Sequence, residues 1–597
     1  MKKTRLIALA TACVLALSAC GANSTNNNSN ISGAEAQTTA AVEKGESAQT
    51  VQAAEAEYTG PKDYRGWTTS MATFNPHMYT NSKTFMNLGT LVAMMADQEG
   101  NNSLEFVPHH AAELPTSPDG GTTWNIKIGE GLSWNDGTPI DANTYEYSMK
   151  MLLDPKLTNK NATYMFDTCV VKNAKEYFSG NCTWEEVGVK LINDYELEIT
   201  LEYPATELDF YTSICTLIWP VHEEIYEKCM NEDRTSTTYG TTLETTPSAG
   251  MFTLTEWITD GHDKFVRNDD DPLVKAGYVK LDSMTRRYIS QNATRAEMFF
   301  KNELDNHSLT GDDYIKYRND PRAYATLSPN VWGYFVNGNS KNTIMQDKDF
   351  RNALYFATPR ESIAEDVYKL YPAAPYIVST GIYVGDPISG GEYYRDTPQA
   401  KAITEKYATN PEKAKELFDK AYEANGGTPV TVEYIYFEGQ ESQKRQAEIL
   451  QETFENLFGK DRFTLSLRAM PPASAYDVYR SGEYDLGLGV RLANVFNPWA
   501  TMNVWTSEYA DKYVTGFENE EFDKLQFECV YGDLVNDQEG KVNALARMEE
   551  LLLDYGAFVP VMQNDNTVMY NDRITLATQV YLPFVGYASN QYDITAP

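Results

Sequence analysis

The sequence predicts an α/β protein with parallel strands and two or three lobes, and three observations lead to this prediction. Strand and helix patterns alternate between residues 411 and 490, an order that favours parallel strands joined by right-handed crossovers. The chain has 597 residues, which is too long for one simple core. Its first 57 residues have the pattern of an export signal and a polar spacer, so the fold is expected to begin after them.

The chain begins with a basic start and a short apolar run from Leu6 to Leu17. This run is too short to cross about 30 Å of hydrocarbon as a stable helix. It ends in Leu17-Ser18-Ala19-Cys20, and small residues ahead of a cysteine resemble the signal of bacterial lipoproteins. The resemblance implies a signal peptide over 1–19, a lipid on Cys20 and a location on the extracytoplasmic face of the cell membrane. An ordinary cleaved signal with an incidental cysteine is the alternative.

Residues 20–57 are expected to form a disordered tether between the membrane and the folded body. They are rich in Asn, Ser, Thr, Ala, Gln and Glu and almost lack large apolar side chains, so they cannot bury enough surface to offset their ordering entropy. No later stretch approaches 18 consecutive apolar residues, and no further membrane span is predicted. The formal net charge of −34 argues against nucleic-acid binding, because phosphates would be repelled.

Cysteine and histidine patterns predict no metal site and no cofactor. The cysteines after the tether form no Cys-x-x-Cys pair. A Cys169–Cys182 disulfide is one alternative outside the cytosol, and free buried thiols are the other. His109-His110-Ala111-Ala112-Glu113 invites a metal, but the chain has only six histidines. The acidic run 268–271 lacks the ligand spacing of a calcium loop and is expected to be a solvated loop.

The first clear elements lie between residues 122 and 155. Residues 124–128 alternate between apolar and polar side chains, as a half-buried strand does. A tight turn and a short strand at 132–134 follow. Asp141 can cap a helix that begins near Ala142 and ends before Asp154-Pro155.

The C-terminal half carries the alternating pattern itself. The predicted order is helix 411–424, strand 430–437, helix 441–458, strand 463–469, helix 473–481 and strand 484–490. Ligands of parallel sheets bind beyond the carboxyl ends of the strands. The segment 491–499, which leaves the last of these strands, is therefore a candidate site.

Several short motifs follow one another in a fixed order: Thr73-Phe74-Asn75-Pro76-His77, Leu132 to Pro139, Ser248 to Phe252, Arg351 to Leu354 with Arg360, Phe522 to Leu525, and Val559-Pro560-Val561. In this order they resemble the landmarks of family 5 extracellular solute-binding proteins, the peptide/nickel-type receptors of ABC importers. The resemblance covers the chain from about residue 58 to its end. It implies a periplasmic-binding-protein fold of type II, with two hinged α/β lobes and an additional inserted domain.

The resemblance also implies a domain division and a mode of action. Lobe I would comprise 58–97, 200–330 and 568–597, with the inserted domain II at 98–199 and lobe III at 331–567. Solute would sit between lobes I and III and be buried when the hinge closes. The protein would act as a monomer, hand its ligand to permease subunits and not be an enzyme.

Candidate ligand contacts come from the same resemblance. Strand-like segments expected to pair with the ligand are Tyr79-Thr80-Asn81 and Arg491-Leu492 with Asn494. Aromatic walls are expected from Trp332, Tyr334 and Trp499, and Tyr164 is expected to reach over the ligand. The alternation around Trp332 and Tyr334 fits a buried strand equally well.

One departure bears on the ligand. Oligopeptide receptors have Ala-Asp-Tyr where this chain has Ala493-Asn494-Val495, and the Asp holds the ammonium group of the peptide. Asn offers no charge to a buried ammonium, so either another carboxylate serves or the ligand lacks a free amine there. Peptide is the expected ligand. An oligosaccharide receptor is the alternative, because 40 Tyr and 9 Trp could stack on sugar rings. A secreted hydrolase is the rival class, with 84 acidic residues that could include a carboxylate pair.

Overall fold

The computed structural model describes residues 58–68, 71–78, 86–98, 103–385, 391–490, 495–509, 512–579, 581 and 587–597. The predictions for the signal peptide, Cys20 and the tether lie outside these residues. Within them, no helix combines the length and the apolar character that a membrane crossing requires.

The described strands are β1 Asp63–Thr68, β2 Val92–Ala96, β3 Leu104–Pro108, β4 Thr123–Lys127, β5 Val189–Asn193, β6 Glu196–Thr200, β7 Phe252–Ile258, β8 His262–Arg267, β9 Ser283–Tyr288, β10 Asn306–Ser308, β11 Ala323–Thr326, β12 Val331–Val336, β13 Val430–Phe437, β14 Phe463–Met470, β15 Leu486–Val490, β16 Phe558–Gln563, β17 Asn566–Tyr570, β18 Ile574–Thr575 and β19 Asp593–Ile594.

The described α-helices are α1 Ala142–Leu152, α2 Ala174–Phe178, α3 Glu207–Phe210, α4 Glu223–Lys228, α5 Pro272–Lys275, α6 Asn292–Phe300, α7 Gly311–Tyr317, α8 Lys348–Ala357, α9 Arg360–Ser362, α10 Pro398–Lys406, α11 Pro411–Ala424, α12 Glu441–Phe458, α13 Pro472–Ser481, α14 Pro498–Thr501, α15 Glu520–Val530 and α16 Gln538–Tyr555. A π-helical turn over Tyr211–Cys215 continues α3.

A five-stranded sheet in the order β14-β13-β15-β12-β16 organises the C-terminal half. Strand β13 pairs in parallel with β14 and with β15, as the alternating pattern predicts, while β12 runs antiparallel to both of its neighbours. The bounds of α11, β13 and α12 agree with the prediction, and those of β14, α13 and β15 differ from it by one or two residues. The helices and this sheet enclose one cluster of buried residues from Tyr334 to Met562, the large core.

Aromatic rings from the predicted helices and strands fill one side of the large core. Phe418 of α11 stacks on Phe458 of α12 with 4.3 Å between ring centroids, and Phe463 of β14 meets both rings. All three are buried. Burying a side chain of this size stabilises the fold by about 1.5–3 kcal/mol, which explains why the apolar stripe read from the sequence fixes these elements.

A smaller sheet, β4-β6-β5, packs with α1 in the first half of the chain. Asp141 caps α1 by accepting from the Thr144 backbone N–H at 3.0 Å, as predicted. The expected strand at 132–134 is reduced to a single bridge between Ser133 and Pro139. The buried residues from Leu88 to Ala249 form the hairpin core, which extends beyond the 98–199 range expected for domain II.

Both ends of the described chain meet in a third cluster. The sheet β1-β9-β8-β7 packs against residues near the C-terminus, and buried members of this terminal core run from Tyr64 to Ile594. The side chain of Gln591 accepts from the Ala96 backbone N–H (2.6 Å) and donates to its carbonyl (3.2 Å). The beginning and the end of the chain therefore belong to one body.

Two described connections join this body to the large core, one between β11 and β12 and one between β16 and β17. Asp565 bonds them together, because its Oδ1 accepts from the Ser328 backbone N–H (2.8 Å) and from Gln563 Nε2 (2.6 Å). The Ser328 hydroxyl also donates to Asn564 Oδ1 at 2.8 Å. Burial raises the pKa of the Asp565 carboxyl above its usual value. We call these two connections the crossover.

The structure differs from the sequence-based expectation at Asp271, and it distinguishes the two alternatives for Cys169 and Cys182. Asp271 is not in a solvated loop: it is buried, and it caps α5 by accepting from the Leu273 backbone N–H at 2.9 Å. Cys169 and Cys182 are separate free thiols, and the Cys182 thiol points to the Asn173 carbonyl at 3.8 Å. The alternative of free buried thiols thus holds for Cys169, whereas Cys182 is free but only half-buried.

Candidate functional site

A cavity of about 140 Å³ is lined by members of the hairpin core and of the terminal core, together with Phe496. Strand β2, Thr212 to Trp219 and Ser589-Asn590 supply described walls from the body that holds both chain ends. Phe496 supplies a wall from the opposite side, directly ahead of α14, which packs in the large core. The cavity is therefore shared between two bodies that the crossover connects.

Further contacts join the same two bodies. Asn497 Nδ2 donates to Asp209 Oδ1 at 2.7 Å. The Tyr531 hydroxyl donates to the Asp167 carbonyl at 3.2 Å, and the Tyr531 ring lies 4.5 Å from that of Tyr203. We call these the rim contacts.

Six of the predicted contact residues lie outside the described residues: Tyr79, Thr80, Asn81, Arg491, Leu492 and Asn494. The chain is described again from Met86 after the first segment and from Val495 after the second. Met86 and Phe496 both line the cavity.

Two predicted aromatic residues are half-buried. Tyr164 packs against the hairpin core. Trp332 of β12 meets Phe437 edge to face, with 6.5 Å between ring centroids. Neither lines the cavity among its described walls.

Tyr334 and Trp499 belong to the interior of the large core. Tyr334 is fully buried, its hydroxyl bonds to Thr358 Oγ1 at 2.8 Å, and burial raises the pKa of its phenol. Trp499 Nε1 donates to the Lys541 carbonyl at 2.7 Å. The sequence left open whether Tyr334 lines a ligand site or belongs to a buried strand, and in the structure it is a buried residue of β12. Neither ring is among the described walls of the cavity, and their role as ligand walls stays a prediction.

The two histidines that could suggest a metal site are hydrogen-bonded to other groups of the protein. His109 Nε2 lies 2.8 Å from Asp271 Oδ2, and its Nδ1 accepts from the Thr90 backbone N–H. Burial opposes ionisation of Asp271, but the His109 ring outweighs it and holds the pKa of the carboxyl below its usual value. Burial lowers the pKa of His110 to about 3. Across the described ranges, no three His, Cys, Asp or Glu side chains are grouped so that they could hold a metal ion.

The sequence did not single out most residues of the cavity wall, and it identified none of them as a ligand contact. Met94 and Met95 sit side by side in a short apolar strand, and Met251 is distant from them in the chain. A short run of consecutive apolar residues is consistent with a buried strand, but it does not indicate which side chains line a cavity. The pairing of β2 with β3 and the contact of β2 with Phe496 arise from tertiary structure and cannot be read from the local sequence.

A family model for bacterial extracellular solute-binding proteins, family 5 (middle region), matches residues 105–513. The dipeptide-binding protein DppE of Bacillus subtilis is 23% identical over 505 residues, which are 84% of this chain and 86% of that protein. The oligopeptide-binding protein OppA of the same organism is 24% identical over 472 residues, 77% of this chain and 79% of that protein.

Solved structures of the same kind share the fold. Listeria monocytogenes OppA bound to peptide superposes with a TM-score of 0.67 at 20% identity, covering 90% of this chain and 100% of that one. An oligopeptide ABC transporter substrate-binding domain from Bacillus anthracis gives 0.68 at 19% identity, covering 91% and 100%. The predicted two-lobed α/β fold of type II periplasmic-binding proteins is thus confirmed. The chain belongs to the bacterial extracellular solute-binding proteins, family 5.

Proposed function

We propose that this protein is the solute receptor of an ABC importer and that it captures an oligopeptide in the cavity between its two bodies. The observation that carries the proposal is the shared cavity, which has walls from both sides of the crossover. Family membership and the peptide-binding names of DppE and OppA support the ligand class. The apolar walls argue against an oligosaccharide, because sugar hydroxyls left without partners in such a site are costly.

Capture would proceed by hinge closure about the crossover. A ligand that touches both bodies in the closed state shifts the open–closed equilibrium toward that state. The rim contacts would form on closing and would add to the stability of the closed state. In this proposal lobe I comprises 58–97, 200–330 and 568–597, domain II 98–199 and lobe III 331–567. The crossover at Ser328 and Asp565 lies within three residues of both proposed lobe boundaries.

The anchor and the partners are part of the same proposal. Cys20 would carry the lipid and hold the receptor at the extracytoplasmic face, and permease subunits would receive the ligand. We expect the Cys20→Ser protein to appear in the culture medium, whereas the parent stays with the membrane fraction. Equal membrane retention of both proteins would contradict the anchor while leaving the receptor function intact.

The ligand class is tested with the chain from residue 20 onward carrying Cys20→Ser. Dipeptides to pentapeptides, maltotriose and xylotriose are compared by thermal shift and by isothermal titration calorimetry. We expect a peptide to bind at one site per chain and to raise Tm, with about 2.7 kcal/mol of added stability at a hundredfold excess over Kd. Small-angle scattering should show a smaller radius of gyration with the peptide.

Recovery of the ligand separates a receptor from an enzyme. Mass spectrometry after overnight incubation should return the peptide intact. Binding of the sugars alone would replace the peptide with the alternative ligand class. Steady cleavage of a peptide or sugar would instead favour the secreted hydrolase.

A further inference from the structure

We propose that the shared cavity is a side-chain pocket that selects one large apolar residue of the bound peptide. This inference rests on the proposed function, because it assumes that a peptide is the ligand. It adds the chemistry that the pocket recognises, which neither the fold nor the family membership specifies.

The described walls are dominated by apolar side chains, and four of them are methionines: Met86, Met94, Met95 and Met251. Leucine, valine and aromatic side chains complete the surface. Methionine is unbranched and polarisable, so it adapts to different apolar shapes and favours contacts with aromatic rings. Such walls fit aliphatic, thioether and aromatic side chains alike.

The threonine hydroxyls of the walls already donate within the protein. Thr90 Oγ1 donates to the Val92 carbonyl at 2.8 Å. Thr212 and Thr216 each donate to the carbonyl four residues earlier, at 2.7 and 3.0 Å. Their hydrogens are therefore not available to a ligand.

His109 and Asn590, two of the remaining polar walls, also contact protein groups. Both nitrogens of the His109 ring have protein partners, Asp271 and the Thr90 backbone N–H. Asn590 Nδ2 lies 3.6 Å from the sulfur of Met251. A lysine or aspartate side chain would enter this pocket as an unpaired ion, and that is strongly unfavourable.

The volume of the cavity fits one side chain. An apolar cavity of about 150 Å³ accepts a benzene ring and excludes water, and this one measures about 140 Å³. It can hold the side chain of Phe, Leu or Met but not a second residue or the peptide backbone. Filling it instead of leaving an alanine there should tighten binding about 10- to 100-fold.

The test uses tetraalanine in which each position in turn carries Phe, Leu, Met, Ser, Asp or Lys. Binding to the chain from residue 20 with Cys20→Ser is measured by isothermal titration calorimetry. At one position we expect Phe, Leu or Met to bind about 10- to 100-fold more tightly than Ala, and Asp or Lys to bind more weakly than Ala.

Two variants assign that preference to the cavity. Ala93 lies on its wall, so Ala93→Leu fills the space and should reduce the Phe-to-Ala affinity ratio at that position at least fivefold. Met94→Ala enlarges the space and should raise the affinity for a Trp peptide relative to the Leu peptide. Val266→Leu, on an exposed position of β8, is the matched control and should leave both ratios within twofold. If one cavity variant does not fold, the other still tests the assignment.

The outcomes are distinguishable. Binding that is the same for all side chains at every position, or tightest for Asp or Lys, would overturn the pocket while peptide capture stands. A preference that neither cavity variant changes would also overturn it. Failure of every peptide to bind would overturn the proposed function itself.

Discussion

Replacing Asp209 with alanine removes one of the rim contacts, a hydrogen bond that joins the two bodies. Asn497 Nδ2 donates to this carboxylate at 2.7 Å, and Asn497 is only 3% exposed. Its other amide atom, Oδ1, caps α14 by accepting from the Ala500 backbone N–H at 2.8 Å. The start of α14 therefore stays intact in the Asp209→Ala protein. Besides the contact between the bodies, the change removes the acceptor of the Thr206 hydroxyl at the start of α3.

The size of the effect follows from the hydrogen bond that is lost. In the closed form the change removes the bond from Asn497 Nδ2 to a charged carboxylate, which is worth about 1–3 kcal/mol. In an open form this bond is absent from the parent protein as well. The closed form would thus lose 1–3 kcal/mol relative to the open one, and ligand affinity would fall about 5- to 150-fold.

Isothermal titration calorimetry with the tightest-binding peptide of the panel measures this loss. Glu207→Ala is the matched control, since Glu207 is an exposed carboxylate in the same helix, α3, and affinity should change by less than twofold. Small-angle scattering of the unliganded Asp209→Ala protein should give a radius of gyration no smaller than that of the parent. Unchanged peptide affinity in Asp209→Ala would show that this bond does not contribute to closure.

Three further predictions concern stability, each measured by urea unfolding. Glu549 is fully buried with the Arg395 guanidinium, so Glu549→Ala should lower the free energy of unfolding by about 3–5 kcal/mol. The control Glu550→Ala should lower it by less than about 1 kcal/mol, because the partners of Glu550 are more exposed. Equal losses in the two proteins would contradict this prediction. Burial lowers the pKa of His110 from 6.5 to about 3, so only the unfolded chain takes up this proton as the pH falls through 6.5. The contribution of His110 to the free energy of unfolding therefore does not depend on pH above 6.5 and decreases as the pH falls toward 3, by about 2 kcal/mol at pH 5. A His110→Gln protein with an unchanged pH profile would refute the assignment. A Cβ on Gly333 would lie 2.1 Å from the Val559 carbonyl oxygen, so Gly333→Ala should destabilise by about 1–3 kcal/mol or more, and a neutral effect would exclude this clash.

The sequence predicts elements well where local pattern and burial coincide. The apolar stripe of α12 and the alternation in β13 place Phe454 and Tyr434 inside the large core, and both are buried there. The order of these elements was enough to predict parallel pairing. The fold class follows from such local rules together with the motifs of the family.

Positions whose role depends on a distant partner could not be predicted in the same way. Asp271 belongs to an acidic run that suggests a solvated loop, yet its partner His109 lies 162 residues away in the chain. Tyr334 has an alternation that fits both a cavity wall and a buried strand, and its burial beside Thr358 is visible only in the structure. The methionines of the cavity come from separate segments, and nothing in their spacing brings them together.

The meeting of both chain ends in the terminal core has a consequence for biosynthesis. Gln591 bonds to Ala96 across 495 positions, and Tyr592 bonds to Tyr570 at 3.0 Å. All residues of the large core have been synthesised once residue 563 has left the ribosome. The body that holds the start of the chain can pack completely only after the residues near 591–594 have been made. Because long-range contacts form slowly and leave apolar surface uncovered meanwhile, we expect the middle of this polypeptide to fold first. A premature stop near residue 585 should leave the earliest-made segment without its partner and open to proteolysis.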